Sequence, residues 1–184
     1  MASCLVTGTD VRPLPAGLRL DGRRPLLAVG SNASPSQLWH KFAERGPDFA
    51  IPVLSTRVDG LAVGHSAHVS RAGYIPYAPY AAAGHTLHTA MLLWLDDTQL
   101  ARMDETEPNY DRVLLASADY RLTLESGAEV AEYFVYRSVH GVVADLPATT
   151  QADALARLAR YAIDSGLKVG EISRTGNSQL IASR

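Results

Sequence analysis

Two short stretches of this 184-residue chain carry residue types that can do chemistry. The first is Gly30-Ser31-Asn32, which ends the apolar run "LLAV" and stands just before a helix start at Ser34-Pro35. Backbone N–H groups in such a turn have no intrahelical partners, and with the helix dipole they attract negative charge. Glycine lets the backbone approach a ligand closely. The same residues also suit a plain strand-to-helix turn, so the loop alone leaves both readings open. The second stretch is "LARMDETEPNYDR", Leu100 to Arg112, which packs Asp104, Glu105 and Glu107 close to Arg112 with Tyr110 between. On a helix, Glu107 lies four residues beyond the inward-facing Met103, on the same stripe. A carboxylate that continues an apolar stripe is partly desolvated, an environment that suits general acid–base work. Asp104 and Glu105 are expected to face solvent. The alternative for Glu107 is an ion pair with Arg112 or a turn cap.

Other candidates point less clearly to chemistry. His65-x-x-His68 and His85-x-x-His88 resemble paired ligands, but positions i and i+3 of a strand face opposite ways, and no metal is expected. Tyr74, Tyr77 and Tyr80, interleaved with Pro76 and Pro79, suit a pocket wall or lid, or a packed loop. Cys4 is the single cysteine, so no internal disulfide can form, and its terminal position without a motif argues against a nucleophile. Trp39 and Trp94 are expected in the core.

The bulk numbers exclude several classes. Hydrophobic residues make up 47% and charged residues 20%, the profile of a globular protein with one proper core. The net charge of −2 offers no basic field for nucleic acid or an anionic membrane. No apolar stretch approaches the ~20 residues of a membrane span, and no signal peptide is read, so a cytoplasmic location is expected. Lysine occurs only at Lys41 and Lys168 against many arginines, a compositional bias without a mechanistic reading.

The elements that must position these residues follow from patterning. Residues 1–24 read as a loosely ordered N-terminal extension with at most a short strand, and 25–184 as one domain. "PLLAVG" reads as a buried strand. Ser34 as N-cap, Pro35 at the first helical position and Gln37 as the capping-box partner start a helix with Leu38, Trp39 and Phe42 inward. Residues 50–70 read as one or two strands with a turn at Asp59-Gly60. Residues 73–84 read as ordered and irregular, and "HTLHTAMLLWL" as a strand. A short helix follows, stopped by Pro108. Residues 110–138 read as two strands joined at Ser126-Gly127. Thr150 to Gly166 bounds a helix with Leu155, Leu158, Ala159, Ala162 and Ile163 on one face. Strands dominate without strict βαβ alternation, which predicts an α+β fold built on a small mixed β-barrel or curled sheet flanked by a few helices.

In combination, "AVGSN" (28–32), "LLWLDDTQLARMDETE" (92–107) and "YDR" (110–112) resemble the gamma-glutamylcyclotransferase-like family, over roughly residues 25–140. The resemblance implies a cofactor-free enzyme that cyclises a gamma-glutamyl amide, amine or peptide to 5-oxoproline and releases the amine. It implies Glu107 as the catalytic acid/base and Val29, Gly30, Ser31, Asn32, Tyr110 and Tyr133 against the substrate. Tyr136 is the alternative to Tyr133, since three residues apart on a strand they face opposite ways and only one can reach the pocket. Val29 stands where the family usually has tyrosine, and Pro108 where it often has glycine. Pro108 biases Glu107 out of the helical region. A changed substrate or chemistry on the same fold, and a non-catalytic binding module, remain alternatives. The expected partner is the small gamma-glutamyl molecule. A homodimer is equally compatible, because the Tyr/Pro/Ala stretch suits a partner as well as a pocket.

Overall fold

The computed structural model describes residues 2–46, 48–147 and 150–164. Among the described residues, nine strands and three α-helices follow one another as β1 (Cys4–Thr7), β2 (Val11–Arg12), β3 (Arg24–Ala28), α1 (Pro35–Phe42), β4 (Ala50–Ser66), β5 (Tyr77–Leu95), α2 (Asp97–Glu105), β6 (Tyr110–Ala116), β7 (Leu122–Leu124), β8 (Glu132–Ser138), β9 (Val142–Pro147) and α3 (Gln151–Asp164). The strands form one mixed sheet in the order β2-β1-β4-β5-β3-β8-β6, with β7 and β9 also pairing to β4. The fold is α+β around a large curled sheet that does not close into a barrel.

The long antiparallel pair β4 and β5 is the spine. Its register shifts between Thr56 and Val58 and again between Asp59 and Leu61. Such bulges bend and twist the strands, so one end of β4 meets β1 and the other meets β9. Asp59-Gly60 is therefore a bulge inside one strand rather than a turn, and Gly60 supplies its positive φ of 84°. Strand β5 begins at Tyr77, within the segment that reads as irregular. Ser126-Gly127 turns after β7, but β7 pairs with β4, and β6 takes β8 as its partner.

Central strand β3 is covered on both faces, which is why it reads as a continuous apolar run. Leu26 and Ala28 point into a cluster with Leu38, Phe42, Leu100 and Met103 from α1 and α2. Leu27 points the other way, into the curl, with Val58, Leu61, Leu122 and Tyr133. The N-terminal segment is less loose than expected. Strand β1 pairs with β4, and its Val6 is fully buried. Cys4 is buried beside it, and burial raises its thiol pKa, away from any nucleophilic role.

Two helix starts differ from expectation. Ser34 is the N-cap of α1 with Pro35 in the first turn, but its hydroxyl meets Ser36 Oγ at 2.8 Å and caps no amide, so the capping box is absent. The box forms instead at α2. Asp96 Oδ1 accepts from Gln99 N at 2.8 Å, and Gln99 Oε1 accepts from Asp96 N at 3.1 Å. Among the described side chains of α3, Ala154 is buried and Leu155 is exposed. The side chains of Leu158, Ala159, Ala162 and Ile163, and Gly166, lie outside the described residues. Among the described residues no helix is long and apolar enough to cross a membrane.

Candidate active site

Chain reversal out of β3 places Gly30-Ser31-Asn32 in the lining of a cavity of about 770 Å³. Residues Ser31–Ala33 form a single 3-10 turn, closed by Ala33 N donating to Gly30 O at 3.0 Å and Ser34 N to Ser31 O at 2.9 Å. Those bonds use the amides of Ala33 and Ser34. Among the described residues, the amides of Ser31 and Asn32 donate to no protein acceptor. A Cβ built on Gly30 would meet only Tyr77 Cβ, at an ordinary 3.6 Å, so protein packing does not demand glycine there.

Glu107 lines the same cavity. It is not on α2, because that helix ends at Glu105 and Thr106 is its C-cap. Glu107 opens a β-turn instead, with Pro108 next and Tyr110 N donating back to Glu107 O at 3.0 Å. Proline pre-sets that second turn position and keeps the residue before it out of the helical region. The departure at Pro108 thus moves the carboxylate off the helical stripe and into the junction between α2 and β6.

There Glu107 joins the loop directly. Asn32 Nδ2 donates to Glu107 Oε1 at 2.9 Å. Lys41, in the last turn of α1, forms an ion pair with the same oxygen. The side chains of Lys41 and Glu107 are only 8% and 15% exposed, so solvent screens the pair little. The acceptor Oε1 fixes the Asn32 amide, since a carbonyl facing it would be repelled. The other side-chain atom, Asn32 Oδ1, is then buried without a hydrogen-bond partner. A buried acceptor left unpaired costs stability of about 1–3 kcal/mol. A donor on a bound molecule would relieve it.

Around this centre the remaining candidates sort cleanly. Val29 and Tyr110 line the cavity. The Tyr110 hydroxyl donates to Tyr77 O at 3.0 Å. Burial, and after it the nearby Glu107 charge, push its pKa well above the usual tyrosine range, so Tyr110 is a neutral donor. Tyr74 and Tyr77 also line the cavity, but Tyr80 does not. Arg112 does not pair with Glu107. It pairs with Asp104 at 3.0 Å and lies 4.6 Å from the centre of the Phe134 ring. Asp104 is accordingly half-buried rather than solvent-facing, while Glu105 is exposed.

Tyr133 does not reach the cavity; Tyr136 does. The two face opposite ways on β8, as period two requires. Tyr133 packs inside the curl, and its hydroxyl donates to Tyr120 O at 2.8 Å. Tyr136 faces α2 and donates to Asp104 Oδ1 at 2.8 Å, and burial followed by that carboxylate raises its pKa. Tyr133→Phe is expected to lower stability by about 1 kcal/mol, the net worth of one hydrogen bond, with ligand affinity unchanged. Urea denaturation beside a binding titration checks both halves.

The sequence reading missed Lys41 and the polar partners of His68 beside Tyr110, and considered His68 only as a metal ligand. His68 lines the cavity, with Nδ1 2.7 Å from Ser66 Oγ. Its ring stacks on His140 at 4.4 Å, and His140 Nε2 lies 3.1 Å from Asn109 Oδ1. Burial first, and the neighbouring His140 second, lower the His68 pKa from 6.5 to about 4. The unfolded chain therefore binds a proton that the folded chain refuses between those values. The His68 contribution is complete above pH 6.5 and is lost as pH falls toward 4. The wild-type Tm is expected to drop more steeply across that window than the Tm of His68→Gln, and parallel curves would contradict this. His85 and His88 are exposed, and His65 is buried beside Tyr77. Among the described residues no group of three or more His, Cys, Asp or Glu could hold a metal.

No protein-family profile and no curated protein matches the sequence. Solved structures do. The solution structure of At5g39720.1 from Arabidopsis thaliana matches with a TM-score of 0.52 at 15% identity, over 86% of this chain and 99% of that one. A gamma-glutamyl cyclotransferase matches at 0.47 and 14% identity, over 64% and 67% of the two chains. A second Arabidopsis thaliana protein, At3g28950.1, matches at 0.49 and 11% identity, over 88% and 95%. At these identities what this chain shares with the first of them is its fold: a curled mixed sheet with flanking helices.

Proposed function

We propose that the cavity binds a gamma-glutamyl amide, amine or peptide and cyclises it to 5-oxoproline with release of the amine. The observation that carries this reading is the hydrogen bond from Asn32 to Glu107. It brings the Gly-Ser-Asn loop and the one carboxylate that lines the cavity among the described residues into direct contact, although 75 residues separate them. The resemblance of the two motifs to the gamma-glutamylcyclotransferase-like family supports it.

The chemistry follows from what these groups can do. The substrate's alpha-ammonium must lose a proton before its nitrogen can attack. Glu107, which accepts a hydrogen bond from Asn32 and is ion-paired with Lys41, accepts it. The freed amine attacks the gamma-carbonyl carbon of the same molecule and closes a five-membered ring. The free amides of Ser31 and Asn32 are suited to the oxygen that gains charge. Carbon–nitrogen cleavage then releases the departing amine. The ring nitrogen ends with two fewer hydrogens than the ammonium had, and the departing nitrogen gains two, so Glu107 relays protons from one to the other. Both nitrogens belong to one bound molecule, and proximity supplies much of the acceleration.

The test is 5-oxoproline formation from a panel of gamma-glutamyl amines, dipeptides and glutathione, with alpha-glutamyl isomers beside them. Release from gamma-linked compounds alone is the expected result. No release from any of them, by folded protein, overturns the reading and leaves a binding module or a changed chemistry.

A further inference from the structure

The cavity has more positive than negative charge to offer a guest. Among the described residues, Lys41, Arg71 and Arg102 line it, with Glu107 as the single carboxylate. Most of these charges are already committed. Glu107 is paired with Lys41. Arg102 donates to Lys41 O at 2.8 Å, to Glu105 at 3.0 Å and to Glu44 at 3.2 Å. Arg71 differs: among the described residues it has no ion-pair or hydrogen-bond partner.

Arg71 is also well placed. It sits on the loop between β4 and β5, whose tip is closed on itself. Ser70 N donates to Tyr74 O at 2.8 Å, and Gly73 N to Ser70 O at 2.9 Å. Gly73 takes the positive φ of 81° that this turn requires. The base of the loop is clamped to α3, where Gln151 Oε1 accepts from Ile75 N at 2.8 Å and Gln151 Nε2 donates to Ile75 O at 3.0 Å. Buried Ile75 and Ala154 pack beneath. The loop is thus a fixed cavity wall, and Arg71 on it lines the cavity, is exposed and is uncommitted.

We infer that the departing amine of the substrate carries its own carboxylate, as an amino acid or peptide does, and that Arg71 binds it. This rests on the cyclotransferase reading, in which one part of the substrate stays at the loop and Glu107 while the other extends along the cavity. Guanidinium matches a carboxylate in charge and in fork geometry. A polyamine leaving group would bring further cations toward Arg71, with no free carboxylate among the described lining residues to receive them.

The experiment uses probes that bind without reacting. Glutaryl-glycine and glutaryl-glycinamide lack the alpha-amine, so neither can cyclise, and they differ only in the terminal carboxylate. Calorimetric titration of the full chain is expected to show glutaryl-glycine binding about tenfold more tightly, the worth of one charge-assisted hydrogen bond. Arg71→Gln should remove that preference and leave glutaryl-glycinamide unchanged within about twofold. Equal affinities in the wild type, a preference that survives Arg71→Gln, or no binding of glutaryl-glycine would each overturn the inference. Loss of 5-oxoproline release with the preference intact would instead sink the catalytic reading alone.

Discussion

Glu107→Gln is expected to lower 5-oxoproline release by about 10²–10⁴-fold, the usual worth of a general acid–base group, in protein that still folds but is less stable, because buried Lys41 loses its counter-ion. Glutamine keeps the shape of the side chain, and its oxygen can still accept from Asn32 Nδ2 and from Lys41. What it cannot do is take a proton from the substrate ammonium and return it to the departing nitrogen. The loss should therefore fall on kcat, with the affinity for an unreactive glutaryl probe nearly retained. Steady-state kinetics with a binding titration and a Tm on the same sample separate the two. Substantial turnover in a folded Glu107→Gln would remove Glu107 from the mechanism.

The second large effect belongs to Lys41. Its ammonium is buried against Glu107, between α1 and the turn that follows α2. Lys41→Met leaves a carboxylate in a poorly solvated place without its counter-ion. Breaking a buried pair from one side costs about 3–5 kcal/mol, whereas replacing both partners by apolar groups is often neutral. Urea denaturation should thus show a large loss for Lys41→Met and recovery of most of it in Lys41→Met/Glu107→Leu. The double variant should be inactive all the same. A single variant as stable as wild type would mean that the pair does not hold the loop and the turn together.

These two residues also mark how far the sequence carries. Strand β3 is readable because a run covered on both faces must be apolar throughout. The helix containing Leu100 and Met103 is readable from its spacing, and the Asp96-x-x-Gln99 box stands in the same stretch. Patterning alone cannot bring Asn32 to Glu107, because that contact depends on how the sheet curls; the resemblance of the two motifs is what pairs them. Lys41 reads as a polar residue at a helix end, and only the packing of α1 against α2 turns it inward. Alternation correctly sets Tyr133 and Tyr136 on opposite faces of β8. Which face meets the cavity is decided by the partners of that strand, with Leu115 opposite Tyr133 and Arg112 opposite Tyr136. Asp59-Gly60 has hairpin chemistry, yet β4 continues through it, since a bulge uses the same positive-φ glycine as a tight turn.

The central claim is that the substrate's own amine, rather than water, attacks the gamma-carbonyl in this cavity. The most direct measurement is product analysis by mass spectrometry after turnover of a gamma-glutamyl dipeptide in water enriched in oxygen-18. 5-Oxoproline without incorporated label is expected, together with the free amino acid in equal amount. Labelled glutamate would show hydrolysis by water at the same bond and would contradict it.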